Sequence, residues 1–139
     1  MFLSSDKLKE AIQSGELAII PFSDVHLKPA SYAFTLDKIL QDVATGEEIT
    51  MPFEGYILEP GRFVTGKTVE TVNLKNSYIC ILGTKGSTAQ KGVDVVQSSI
   101  IAEPDTNNQF TLEIKNNGPK AIYLIPDMEI VKGIFSRIA

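Results

Sequence analysis

Apolar and polar positions along the chain change their period once. Near the N-terminus, Leu8, Ala11 and Ile12 recur at helical spacing; beyond residue 16 the pattern turns to short apolar runs and alternations of strand type. Ser4, Ser5 and Asp6 offer side-chain oxygens to the free amides of a helix over 7–13, and Gly15 permits a left-handed exit. Residues 17–21 read as a buried strand ended by Pro21. Residues 31–36 alternate, which places Tyr32, Phe34 and Leu36 on one face. Thr45-Gly46-Glu47 marks a turn inside an exposed hairpin excursion over 37–53. A strand and turn over 56–61 follow, then strands over 63–69 and 78–82 connected through 74–77. Further strands are expected over 93–96, 98–101, 109–115, 121–125 and 129–138.

Asn116-Asn117-Gly118-Pro119 and Pro126-Asp127 separate the last strands, with glycine free to take positive φ and proline presetting its own. Short strands at regular intervals with turns between them predict a mainly β barrel or sandwich carrying one short N-terminal helix. The 139 residues make one domain, 1–139, large enough to bury a core without staples. No repeat, linker or low-complexity tract interrupts it.

Composition removes several classes of function. A net charge of −4 argues against a broad basic surface for duplex nucleic acid, although a local basic patch could still hold a nucleotide. One cysteine, Cys80, and one histidine, His26, exclude an intrachain disulfide and a His/Cys zinc cluster. The zinc-dependent nucleobase deaminases, which need three such ligands, fall with that cluster. No apolar run reaches the roughly 18 residues of a membrane span, and no signal-peptide pattern opens the chain, so a cytoplasmic protein is expected, or one carried in a virion if the chain is viral.

Two segments carry candidate chemistry. The run 85–91, Lys-Gly-Ser-Thr-Ala-Gln-Lys, could cradle phosphate through main-chain amides, or be a polar surface loop; it lacks the order of a P-loop. In the strand over 109–115, Phe110, Leu112 and Ile114 point one way and Thr111, Glu113 and Lys115 the other. Glu113 is then either a solvated charge on a polar face or a proton acceptor. His26 reads as a packing or surface residue, and Cys80 as a small core residue.

The order of these segments resembles the dCTP deaminase/dUTPase superfamily, on its dCTP deaminase side, over nearly the whole chain. The carriers are the capped helix, the run from Gly15 to Pro21, and 28–36, similar to the family's Pro-Ala-Ser-Val-Asp-Leu-Arg-Leu. Leu58-Glu59-Pro60-Gly61, the segment 68–74, the run 81–92 with Glu103-Pro104, and the last two turns complete it. The resemblance implies a dUTPase-like distorted β-barrel or jelly-roll, assembled as a homotrimer with sites between subunits. In the family pattern Gly-Arg-Ser-Ser-Leu-X-Arg-X-Gly, which holds the triphosphate, Lys85 stands for the first arginine. Gly86 replaces the first serine, Ser87 keeps the second, and Gln90 replaces the second arginine. Glu103 takes the aspartate of Ile-Asp-Pro-Gly, near the sugar or metal, with Asp105 where glycine would sit. Glu113 takes the general base, which activates water for attack on cytosine C4.

The departures shape the expectation. Lysine meets phosphate without arginine's planar fork, and glutamine brings no charge. Losing a charged partner of a desolvated phosphate costs about 2–5 kcal/mol. Ala33 and Thr35 replace the family's acid and arginine in the first motif, and Ala139 closely follows the last strand, where family enzymes carry a closing tail. The leading expectation is therefore a homotrimer with a degenerate site. It would be non-catalytic and would serve as a structural or binding protein, for instance a viral decoration component or a regulator with a protein partner. The alternative is an active dCTP deaminase or dUTP diphosphatase. No resident cofactor or metal is expected; Mg²⁺ would enter only with a bound dCTP or dUTP.

Overall fold

Helix α1 (Ser5–Gln13) opens a fold in which a computed structural model describes all residues, 1–139. Ser4 lies in extended backbone at the N-cap, and its Oγ accepts from the Lys7 amide at 3.3 Å. Leu8 and Ala11 are buried, Ile12 packs against the core, and Gly15 leaves the helix at φ +78°, as its sequence position predicts.

Strands β1 (Ala18–Ile20), β2 (Tyr32–Thr35), β3 (Ile39–Asp42), β4 (Glu48–Thr50), β5 (Tyr56–Leu58) and β6 (Phe63–Asn73) form the first half. The second half holds β7 (Tyr78–Thr84), β8 (Val93–Asp94), β9 (Ile101–Ala102), β10 (Asn107–Asn116), β11 (Ile122–Leu124) and β12 (Glu129–Arg137). A 3-10 turn covers Asp24–His26, and a single helical turn, α2 (Gly86–Ala89), follows β7. One antiparallel sheet runs β4-β3-β6-β10-β8, with β1 also paired to β6. A second runs β2-β12-β7-β9, and β5 pairs with β11 in a separate ribbon. An isolated bridge between Leu36 and Thr68 links the two larger sheets, whose strands do not join into a closed ring. The architecture is mainly β and jelly-roll-like with one short N-terminal helix.

The core lies between these sheets. Tyr32, Phe34, Phe110 and Phe135 form its aromatic centre, with Phe34 and Phe110 edge to face at 5.3 Å. Phe110, Leu112 and Ile114 of β10 are buried while Thr111 and Glu113 face outward, as alternation predicts. Each such buried side chain stabilises the fold by about 1.5–3 kcal/mol.

Four local features differ from the sequence pattern. All of β2 is buried, including Ala33 and Thr35, because both of its faces are covered. Thr35 donates from its amide and its hydroxyl to the buried carboxylate of Glu70, at 3.0 and 2.7 Å. β6 extends beyond residue 69 because β1 and the start of β10 both pair with its second half. The strand expected over 98–101 shrinks to β9; Asp94 Oδ1 accepts from the amides of Val96 and Gln97, turning the chain first. The excursion over 37–53 is a hairpin, yet Leu40 and Met51 are buried and the buried Asp42 pairs with Arg62.

Candidate functional site

β10 presents Glu113 to a hollow of about 310 Å³, lined also by Glu103, Gln109, Thr111, Leu82 and Ile101. The strand is held on both sides here: Glu113 registers with Thr65 of β6, and its amide donates to the Val95 carbonyl at 2.9 Å. Its carboxyl has no hydrogen-bond or ion-pair partner in the chain. Burial, and then the nearby Asp94 charge, push that carboxyl above the usual glutamate range. Glu103 reaches the same hollow from a turn tied by the Thr106 hydroxyl, which donates to the Glu103 carbonyl at 2.7 Å. Asp105, in the position that glycine takes in the resembling family, adopts φ +68°.

A second cluster forms around Lys85, at the N-terminal side of α2. Its ammonium lies 3.3 Å from Glu129 Oε1, while Glu129 Oε2 receives Lys28 Nζ at 3.3 Å and His26 Nδ1 at 2.7 Å. Burial would raise the Glu129 carboxyl, but the hydrogen bonds from His26, Lys85 and Lys28 outweigh it and hold it at about 2. A carboxylate that acidic has no proton to share at neutral pH, so His26 Nδ1 carries the hydrogen. His26 also stands edge-on to Tyr32. The expectation of a packing or surface residue thus omitted its main contact.

The remaining candidates lie on α2 and its exit. Gly86 and Ser87 are exposed, and a Cβ at Gly86 would meet nothing within 4 Å, so no local contact demands glycine there. Gln90, also exposed, borders a different hollow of about 890 Å³ with Asn117, Tyr123, Ile125 and Met128. Within one chain, then, Glu113 and Glu103 share a hollow that Lys85, Gly86, Ser87 and Gln90 do not line. No three His, Cys, Asp or Glu side chains are gathered as metal ligands.

Lys28, His26 and Glu129 were absent from the sequence-derived site. Glu129 reaches Lys85 because β12 pairs with β7, with Val131 opposite Thr84. Only that long-range pairing could have revealed the contact.

Two antiparallel sheets packed face to face, with an acidic hollow beside β10 and a single helical turn after β7, define a jelly-roll-like class of fold. The dCTP deaminase-like family model matches residues 2–138, and the chain belongs to that family. It is 28% identical to the dUMP-forming dCTP deaminase of Beutenbergia cavernae, covering 100% of this chain and 81% of that one. It is 30% identical to the corresponding Mycobacterium sp. (strain KMS) protein, covering 94% and 77%. Among solved structures, the 2'-deoxycytidine 5'-triphosphate deaminase of Agrobacterium tumefaciens overlays with a TM-score of 0.83 at 17% identity. That overlay takes in 99% of this chain but spans only 48% of the A. tumefaciens one. The dUTPase of S. aureus phage phi11 overlays with a TM-score of 0.61 at 13% identity, covering 88% and 91%. The fold is therefore dUTPase-like.

Proposed function

We propose that this protein deaminates the cytosine of dCTP, with Glu113 as general base. The observation that carries this reading is the unpartnered, upward-shifted Glu113 carboxyl facing an open hollow rather than a plug of side chains. Glu113 takes a proton from water as the oxygen attacks C4 of the ring. The tetrahedral adduct then loses its exocyclic nitrogen as ammonia, protonated by the same carboxyl, and the proton of the new C4 hydroxyl passes to N3 to leave a uracil ring. Burial and the Asp94 charge raise this carboxyl above the usual glutamate range, which favours its return of the proton to the leaving nitrogen. Glu103, on the rim, faces the sugar side. Lys85 and Ser87 contact phosphates of a substrate bound between subunits of a homotrimer, and Gly86 and Gln90 mark where the grip is weakened. Mg²⁺ belongs to the substrate here, chelated by its triphosphate. Self-association is supported by exposed apolar side chains on the β5–β11 ribbon: Ile57 and its register partner Tyr123, with Ile125 beyond.

Incubation with dCTP and Mg²⁺, followed by chromatographic separation of the nucleotides, should yield a deaminated product that the Glu113→Gln variant does not form. Absence of product, together with no thermal shift at millimolar dCTP, would remove the reading, because a ligand specific for the native state must stabilise it.

A second reading, a homotrimer that binds or builds without catalysing, rests on a different observation. Ala33 and Thr35 have been absorbed into the core, and Lys85, the one cation at the two positions where the resembling pattern has arginine, is held by Glu129. It predicts a trimer in sedimentation with no turnover of either dCTP or dUTP.

A further inference from the structure

Lys85 does not stand alone, and its company bears on the weakest part of the proposed site. Lys28 and Lys85 converge on the two oxygens of one carboxylate, and His26 donates to one of them. These groups arrive from three places: the 3-10 turn and the segment after it, the loop before α2, and the first residue of β12. Their side chains are only 16–34% exposed, so the charges interact through less water than at an open surface. An ion pair that merely fastens a loop needs one cation for one anion. Here two ammonium groups and an imidazole share a single carboxylate, leaving a net charge of at least +1 on a chain that is −4 overall. Each ammonium has three N–H donors and spends one on Glu129, so most of the donors remain free. The exposed Gly86 and Ser87 lie immediately beyond Lys85 along the chain.

We infer that Lys28 and His26 join Lys85 in a polyphosphate-binding corner, gathered by Glu129, which replaces the charge missing at Gln90. This deepens the proposed function and rests on it for the identity of the nucleotide, though not for the binding of polyphosphate. Glu129 has a double effect. It fixes both ammonium groups before the ligand arrives, lowering the cost of ordering them. It also subtracts one unit of charge from the corner, so neutralising it should tighten anion binding.

The full-length protein can be titrated calorimetrically with inorganic tripolyphosphate and, separately, with deoxycytidine. Lys28→Met should weaken tripolyphosphate binding about tenfold or more and leave deoxycytidine binding unchanged. Lys28→Gln should repeat the effect if the methionine variant folds poorly. Glu129→Gln should strengthen tripolyphosphate binding several-fold, while Lys7→Met, on the exposed face of α1, should change nothing. With dCTP, Lys28→Met should raise KM with kcat nearly unaltered, the mark of a binding contact that is equal in ground and transition states. Wild-type affinity for tripolyphosphate that survives both Lys28 substitutions overturns the inference, as does a wild-type protein that fails to bind the probe at millimolar concentration. Loss of the deaminase reading through absent turnover would leave a Lys28-dependent tripolyphosphate site standing, so the two ideas fail separately.

Discussion

Glu113 and Glu129 are the same side chain in two opposite settings. Glu113, on β10, looks into a hollow without a partner, and burial and Asp94 raise its carboxyl. Glu129, at the start of β12, is held by His26, Lys28 and Lys85 and stays ionised down to about pH 2. Shielding acts on both; the supply of donors separates them. A carboxylate surrounded by cations is fixed in charge and organises its neighbours. One left without donors can exchange a proton with a visitor, which is why paired environments that diverge in this way identify acid–base groups. By the family resemblance both regions depart from pattern, but differently: the acidic hollow keeps carboxylates, with Glu103 standing for aspartate, whereas on the cationic side Lys85 stands for arginine and is drawn into a local network.

The most severe way to break the comparison is at Glu113. Glu113→Gln should lower deamination by about 10³-fold, within the range that a positioned general base supplies. The same substitution should slightly stabilise the fold at neutral pH. The folded-state pKa lies above the ordinary value, so the wild type loses stability as pH rises from the unfolded-state pKa through the folded one. Thermal unfolding of the two proteins should therefore converge at pH 4 and below and separate above it. A Glu113→Gln protein less stable at pH 7 would mean that the carboxylate is fulfilling a structural role.

The next largest effect belongs to Glu129. Its folded-state pKa lies below the ordinary glutamate range, so its contribution is fully present above that range and is lost as pH falls toward about 2. Wild-type stability should decline across this acid window, and Glu129→Gln should flatten the decline. At pH 7 the variant leaves two ammonium groups without a counter-charge, at a cost of about 1–2 kcal/mol, below that of a fully buried pair because the corner is partly open to water. Chemical denaturation at pH 7 and pH 3 measures both halves of this expectation.

How far the sequence disclosed these regions follows from the range of the interactions involved. The capped helix, the turn at Thr45-Gly46-Glu47 and the face of β10 that carries Glu113 depend on neighbours a few residues away, and their patterns predicted them. The double burial of β2 escaped because Ala33 and Thr35 look like solvent-side positions until Glu70, far along the chain, supplies the acceptor for Thr35. The Glu129 network escaped for the same reason, since only the pairing of β7 with β12 brings it to Lys85. Resemblance singled out Glu113, but the absence of donors around it is a property of the folded surroundings.

A smaller change should sharpen the contrast by restoring the cationic side. Gly86 has room for a side chain and Gln90 is exposed, so the double variant Gly86→Ser, Gln90→Arg should fold normally. By returning a hydroxyl and a guanidinium it should tighten dCTP binding about tenfold, or ~1.4 kcal/mol, read by calorimetry. Unchanged affinity would mean that these positions face away from the nucleotide in the assembled protein.

The smallest expected effect tests whether the rim of the acidic hollow stores backbone strain that the cationic corner does not. Asp105 takes φ +68° beside Glu103, a conformation that aspartate tolerates better than most residues but glycine adopts freely. Its amide is already used, donating to the Lys75 carbonyl, and that bond does not depend on the side chain. Asp105→Gly therefore removes the steric penalty at the cost of a more flexible unfolded chain, two terms of similar size and opposite sign. The steric term is the larger at a positive φ, so a net stabilisation of about 0.5 kcal/mol is expected in urea denaturation, with the m-value unchanged. Because Thr106 still ties the Glu103 carbonyl, turnover should stay close to wild type. A stabilised protein with much reduced turnover would instead make the Asp105 carboxylate itself a working part of the hollow, adding a third acid to Glu103 and Glu113.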